Sequence, residues 1–578
     1  IGAHLPNDMK IKKGEIRGVV SYGMLCSETE LGLSAASEGI LILPPDTAPG
    51  LPLARVLERD DTVLVFKPTA NRGDCLSHLG IAREAAAARG KLFQLPLKAP
   101  LSSRGLPASP IAIRLEAGEA APQFYGALIE GVKIGPSPAW LSKRLEAIGQ
   151  RSINNVVDAT NLVMFELGHP THAYDASKLR GGQISVRRSK VGERLPLLDG
   201  TEVETDGNEL VIADAEGAVG LAGVMGGGNS EVQDSTTRLF LECAEFDPVL
   251  VRRAAKRHAK RSEACVRFEK GVDPQGLEAV LTRLADLIVE LAGGKVTSYS
   301  AERLPSRDVS KAGKPLEIAV AASYFAEFLG APIEAREAQQ VLESLGCQVG
   351  ISAGGDWRVQ VPSWRLDLKL KEDLADEIVR SIGFDRVPST PPRLFDLPHS
   401  AQAEEGWKEF ALLTRAKRAL VQAGLLEAVN YSASSKSWLA KFGFENRVAI
   451  QNPLTEDMEV MTPSLLPLLV QDALTQERHH FGSEPLAIRL FEIRPTFHAL
   501  DAEVKARSDL DPSTEEHWRL SLALSGPRLA GGMKEDLVSV GFSELKGVFE
   551  GLVEEMGTKG IRLQRLVDGP APGAKKSE

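Results

Sequence analysis

Residues able to do chemistry gather in a few stretches of this chain. Glu242 interrupts an apolar, strand-like run, Leu239-Phe240-Leu241. A carboxylate placed there is either paired structurally or held in a pocket to bind a polar ligand, because burying it alone is costly. Upstream, GHPTHAYD at 168–175 sets His169 and His172 beside a turn forced by Pro170, where a lone imidazole is more often structural. Between the two, Gly223, Gly226, Gly227 and Gly228 expose backbone N–H groups able to cradle a carbonyl or phosphate. No Ser/His/Asp or Cys/His nucleophile set is evident, so attack by an activated water fits better than covalent catalysis.

A second set lies in VPSWRLDLKLKEDLADEIVRSIGFDRVP at 361–388. Leu370, Leu374, Ile378 and Ile382 form an apolar stripe at four-residue spacing, which predicts a helix. Asp373, Asp376 and Glu377 share another face, with Asp367 on the entering strand. Four hard oxygen donors suit Mg²⁺. The interleaved Arg365, Lys369, Lys371 and Arg380 give the alternative, a salt-bridged face.

Cations form two patches. Lys10, Lys12, Lys13 and Arg17 lie on a strand pair and either track a phosphate backbone or protect a solvated edge. Arg252, Arg253, Lys256, Arg257, Lys260 and Arg261 crowd one helix; the bland reading is a solvated face, but such density on an acidic protein favours a nucleic-acid-facing patch. The formal net charge of −10 confines any nucleic-acid contact to such local patches.

The elements that position these groups follow from pattern. A chain of 578 residues exceeds one hydrophobic core, so several domains are expected. Five scattered cysteines without a C-x-x-C pair fit neither a zinc site nor a disulfide framework and point to a reducing cytoplasm. No run of about 18 apolar residues occurs, so no membrane span is expected. Residues 1–66 read as a small β-barrel with strands at 41–44 and 62–66, followed by a helix capped by Asp74 or Ser77. Helices near 138–149, 153–164, 248–261 and 273–292, with strands at 183–188 and 209–213, make a mixed α/β region. Residues 301–314 read as a linker, 315–390 as an α+β unit, and 388–398 as a proline-rich linker. A helix at 405–425 and strands near 447–451 and 487–493 predict an antiparallel-sheet domain. The tail GPAPGAKKSE at 569–578 reads as unstructured, and the opening on Ile1 as the start of a fragment.

Taken in order, several blocks resemble the β subunits of bacterial phenylalanyl-tRNA synthetases. They are KIKKGEIRGVVSYGMLCSETELGL at 10–33, RSINNVVDATNLVMFELGHPTHAYDASKL at 151–179, LAGVMGGGNSEV at 221–232, LFLECAEF at 239–246, the 361–388 segment, and NPLTEDMEVMTPSLLPLLVQDAL at 452–474. The resemblance implies a multidomain α+β protein: a partial OB-type tRNA-binding barrel at 1–66, a connector at 67–123 and a mixed α/β editing domain at 124–300. After these come a small winged-helix-like α+β domain at 315–390 and, at 403–568, an antiparallel-sheet domain like that of class II synthetases but without a catalytic site. Carried over by position, Arg151, His172, Gly226, Glu242 and Ala264 become an editing pocket that clears tyrosine from tRNA(Phe), and Asp367, Asp373, Asp376 and Glu377 become Mg²⁺ ligands. Asp376 stands where the family usually has Glu, and Met461-Thr462-Pro463-Ser464 departs from the usual Met-Arg-Thr-Ser. The implied partners are tRNA(Phe) and an α subunit that binds ATP, in an α₂β₂ tetramer in the cytoplasm. The rival reading is a tRNA-binding or assembly subunit whose editing pocket has decayed.

Overall fold

Alternation of apolar side chains builds the part of the molecule that matters most here. In the computed structural model, residues 1–561 are described except 7, 35, 92, 94, 96, 97, 308–314, 353, 354, 390–400, 446, 447, 482–485, 500–513 and 529–537, and the side chains of 401–404. The chain divides into two compact units, Ile1–Thr390 and Pro391–Glu578. The tail at 569–578 and most of the two linkers lie outside the described residues.

At the centre of the first unit is a four-stranded antiparallel sheet in the order Lys295–Arg303, Gln123–Glu130, Arg238–Glu245, His172–Asp175. Successive side chains of a strand point to opposite faces, and here the two faces bury separate cores. Tyr125, Ala127, Ile129, Leu239, Leu241 and Cys243 pack on the helices Asn155–Leu167 and Leu277–Ala292. Phe124, Leu128, Tyr174, Phe240 and Ala244 pack on a second, five-stranded sheet. That sheet runs Met225–Gly226, Ala218–Leu221, Leu210–Ala213, Gln183–Arg188, Ala112–Leu115, with the last pair parallel. By position, Glu242 faces this second sheet, as Phe240 and Ala244 do.

Residues 315–390 form a three-stranded antiparallel sheet, Glu317–Ala321, Asp356–Gln360, Gln348–Ile351, with helices at Tyr324–Leu329, Ala335–Ser344 and Lys371–Ile382. Leu374 and Ile378 of the predicted stripe enter its core. In the second unit, Ile488–Ala499 and Thr514–Ser525 make a long antiparallel ladder beside Leu426–Glu427, packed with Ala401–Gln422, Leu466–His479 and Phe542–Glu555.

Several expectations are corrected. The described residues of 1–66 hold one hairpin, Gly14–Ile16 with Val19–Ser21, and no barrel. Residues 41–44 and 62–66 are not strands, although Ile42, Leu64 and Val65 look the part. A strand exists only through a ladder, and among the described residues the first stretch meets only the isolated bridge of Ile40 with Ser27, with Leu41 N donating to Cys26 O at 2.8 Å. The 447–451 segment contributes only an isolated bridge, Ala449 to Val460. The sequence pattern missed the strands Ala112–Leu115 and Gln348–Ile351. The basic helix ends at Arg257, and a strand continues to Arg303 inside the expected linker. Ser77, rather than Asp74, caps its helix by accepting from Gly80 N at 3.0 Å.

Candidate active site

Glu242 and His172 are opposite one another in the ladder between Arg238–Glu245 and His172–Asp175. Both face a cavity of about 70 Å³ whose walls include Gly226, Ala264, Phe246 and Phe268. At roughly 10–15 Å³ per water, such a cavity holds on the order of five waters, the size of a six-membered ring. Four of the five expected pocket residues (His172, Gly226, Glu242 and Ala264) therefore meet here. Arg151 does not line the cavity; it is exposed between the Ala139–Ala147 and Asn155–Leu167 helices.

Each wall has a local reason. Gly226 packs so close to His172 that a Cβ there would lie 2.5 Å from Cε1 and 2.8 Å from Nε2, so the position demands glycine for space. Ala264 sits in the Glu263–Phe268 helix, capped by Ser262, whose Oγ accepts from Cys265 N at 3.1 Å and donates to Val224 O at 2.7 Å. That pairing ties the helix to the glycine-rich segment. Gly223 has a φ of +70°, which admits few residues other than glycine.

The polar groups are buried and incompletely satisfied. Glu242 is 7% exposed. Its Oε2 accepts a short hydrogen bond from the Tyr174 hydroxyl. Burial pushes its carboxyl up to about 7, against the lowering effect of Tyr174. Burial likewise holds the His172 imidazole down at about 4, so it is neutral at pH 7. His172 Nε2 and Thr171 Oγ1 are buried without a partner among the described residues, and such orphans point to a ligand or water. Tyr174 was missed from the sequence, although HAYD as a strand places His172 and Tyr174 on one face.

A larger cavity of about 420 Å³ in the second unit is lined by Tyr431, Trp438, Asp457 and Asp472. It contains none of the expected site residues and no buried orphan polar atom, so the smaller cavity is the better candidate.

Asn154 and Asp158, close to Arg151, serve the local structure. Asn154 caps its helix. Asp158, fully buried, accepts from Ser137, Ser152 and Ile153 N. The carboxylates at 367–377 are likewise engaged internally. Arg365, 3% exposed, donates to both oxygens of Asp367 at 2.9 Å and to Glu377 at 2.9–3.0 Å. Arg380 adds a bond to Glu377 at 2.6 Å. Burial alone would raise the Glu377 carboxyl, but the two guanidiniums outweigh it and hold it at about 2. Asp373 caps its own helix, accepting from Lys369 N and Leu370 N at 2.8 Å, while Asp376 is exposed. Among the described residues, no three of these four bring oxygens within 4.8 Å of one another. In this arrangement Arg365 pairs with Asp367 and Glu377, and the four carboxylates expected as Mg²⁺ ligands do not converge on one point.

Of the cations, Lys10, Lys12, Lys13 and Arg17 are exposed around the N-terminal hairpin. Arg252, Arg253, Lys256 and Arg261 are also exposed. Arg257 instead pairs with Asp206 and Glu209, and Lys260 with Asp199 at 2.5 Å. No described helix is long and apolar enough to cross a membrane.

Comparison with known proteins matches residues 120–293 to the B3/4 domain, 318–384 to the tRNA synthetase B5 domain and 396–571 to the phenylalanyl tRNA synthetase beta chain CLM domain. The phenylalanine--tRNA ligase beta subunit of Anaeromyxobacter dehalogenans is 40% identical over 564 residues, 97% of this chain and 68% of that one. That of Syntrophotalea carbinolica is 40% identical over 570 residues, 96% and 67% of the two chains. That of Geobacter sulfurreducens is 37% identical over 569 residues, 97% and 68%. With three family domains in order and relatives aligned along almost all of its length, the chain belongs to the phenylalanine--tRNA ligase β-subunit family, a subunit of a ligase.

Proposed function

We propose that this chain clears tyrosine wrongly attached to tRNA(Phe) by hydrolysis in the cavity lined by His172 and Glu242. In this reading an α subunit, with ATP and Mg²⁺, carries out the attachment of phenylalanine, and the two kinds of subunit assemble as α₂β₂. A pocket selecting phenylalanine gains little against an added hydroxyl, whereas a second site that hydrogen-bonds the hydroxyl discriminates strongly. The observation that carries the reading is a buried carboxylate beside a buried, unpartnered imidazole nitrogen on one wall of a cavity of about 70 Å³.

Glu242 receives the aryl hydroxyl. Neutral His172 orients the attacking water or the ester through Nε2; with its basicity depressed to about 4 it positions and does not store a proton. Gly226 and Ala264 leave room for the ring. Arg151, exposed, meets only the part of the substrate outside the cavity. The remaining domain roles follow the same reading: the N-terminal hairpin and the exposed face of the Pro248–Arg257 helix contact tRNA, 315–390 is the winged-helix-like unit, and 403–568 is a non-catalytic scaffold facing the α subunit.

Deacylation of Tyr-tRNA(Phe) and Phe-tRNA(Phe) by the complex with its α subunit tests this. Glu242→Ala should erase the preference for tyrosine. An unchanged preference would sink the assignment and leave a tRNA-binding and assembly role.

A further inference from the structure

Tyr174 touches both residues on which that reading rests. It is 1% exposed. Its ring meets the His172 imidazole edge to face, centroids 4.5 Å apart at 76°, and its hydroxyl donates to Glu242 Oε2. The register explains how: Phe240 opposes Tyr174 and Glu242 opposes His172, so Tyr174 reaches diagonally across the ladder to Glu242. We propose that Tyr174 is a positioning and specificity-determining residue: its phenol fixes one oxygen of Glu242 and its ring fixes the plane of His172, so that Glu242 presents its other oxygen to the aryl hydroxyl of the ligand. The inference rests on the editing reading and deepens it.

The chemistry is that of a shared acceptor. A carboxylate accepts several hydrogen bonds. With one oxygen held by a buried phenol, Glu242 is pre-oriented and loses little freedom when the ligand binds. The titratable side chains lining the cavity are His172, Tyr174 and Glu242. Cys243, next in sequence, packs into the opposite core. His169, on the same loop, bonds Ala244 O through Nε2. Its burial, like that of His172, keeps it neutral at pH 7. Removing the phenol therefore acts on Glu242 without a second charged neighbour to compensate.

The experiment compares Tyr174→Phe, Glu242→Ala and unaltered β chain, each in complex with the α subunit, on Tyr-tRNA(Phe) and Phe-tRNA(Phe). Tyr174→Phe keeps the ring on His172. It should raise KM for the tyrosyl substrate about tenfold, the loss expected for one hydrogen bond to a charged group, with kcat and phenylalanyl deacylation unchanged. The pH profile for tyrosyl-selective cleavage should move to higher pH, because the bond that lowers the Glu242 carboxyl is gone. Should Tyr174→Phe not assemble, 3-fluorotyrosine at position 174 keeps the ring and strengthens the donor, and the profile should move to lower pH. If Glu242→Ala loses discrimination while both Tyr174 changes leave the KM ratio and pH profile in place, this inference is overturned and the editing reading stands. An equal fall in kcat for both substrates would also overturn it, as a purely structural role. If Glu242→Ala itself keeps discrimination, the editing reading is what fails.

Discussion

His172 and Glu242 are direct register partners in an antiparallel ladder, so the backbone alone sets their separation, and Gly226 covers the imidazole from the facing sheet. Gly226→Ala places a methyl carbon 2.5 Å from His172 Cε1 and 2.8 Å from Nε2. The imidazole must rotate or the facing strand must shift, at a cost of about 1–3 kcal/mol for overpacking. Deacylation of Tyr-tRNA(Phe) should fall at least tenfold. Normal cleavage together with normal thermal unfolding would show that the imidazole has room to spare.

The buried titratable groups predict opposite pH dependences. His169 and His172 have folded values of about 4 against an ordinary 6.5, so they take up protons on unfolding. Their contribution to stability is present above pH 6.5 and is lost as pH falls towards 4. Glu242, at about 7 against 4.5, contributes stability that is present below pH 4.5 and is lost as pH rises to 7. Each shift corresponds to roughly 3 kcal/mol. Two histidines outweigh one carboxyl between pH 4.5 and 6.5, so protection there rises with pH. Between about 6.5 and 7 only Glu242 still titrates, and the rise should stop. Glu242→Gln should steepen the rise and add a few kcal/mol at pH 8. Hydrogen exchange of the Leu239–Ala244 amides, corrected for intrinsic rates, measures this; an unchanged slope in Glu242→Gln would refute it.

Arg365 decides whether Asp367 and Glu377 behave as ion-pair partners or as metal ligands. Its guanidinium contacts both carboxylates, so EDTA or millimolar Mg²⁺ should leave thermal unfolding of the unaltered chain in place. Arg365→Met removes the most buried cationic partner of Glu377 and leaves it Arg380 at 2.6 Å and Arg72 at 4.0 Å. The expected cost is about 1–3 kcal/mol, because two cations remain near the carboxylate. In that variant Mg²⁺ should recover part of the lost stability. A Mg²⁺-dependent melting point in the unaltered chain would overturn the ion-pair assignment.

How much of this was legible in the sequence depended on which partner each residue needed. The strand at 183–188, where Ile184 and Val186 alternate with polar residues, and the capped Asn155–Leu167 helix were readable because their signals are local. Glu242 and His172 were recognised by resemblance, since 69 intervening residues hide a pairing that only the ladder creates. Asp367 and Glu377 left two readings open because hard oxygen donors suit a metal and an arginine equally well. Arg365, two residues before Asp367 in the turn segment that leads into the Lys371–Ile382 helix, was the local sign of the ion pair. Residues 41–44 and 62–66 misled for the converse reason: strand-like composition specifies a strand only when another chain segment completes its hydrogen bonds.

The basic helix separates by partner as well, and this gives the sharpest test of the proposed tRNA surface. Arg252 and Arg253 are exposed. Arg257 reaches the buried Glu209, which also accepts from Ser189 Oγ at 3.0 Å and lies 3.0 Å from His258 Nε2. Arg252→Glu with Arg253→Glu should weaken tRNA binding and lower the salt slope by about one for each phosphate no longer neutralised, leaving unfolding unchanged. Arg257→Met should do the reverse: the salt slope stays, and stability falls by about 1–3 kcal/mol because Glu209 is deprived of a cationic partner while remaining buried. Fluorescence titrations of tRNA from about 50 to 200 mM salt, set beside denaturant unfolding, read both effects. If all three changes act on binding alike, the division between a nucleic-acid face and an internal ion pair is wrong, and the whole helix is a single electrostatic surface.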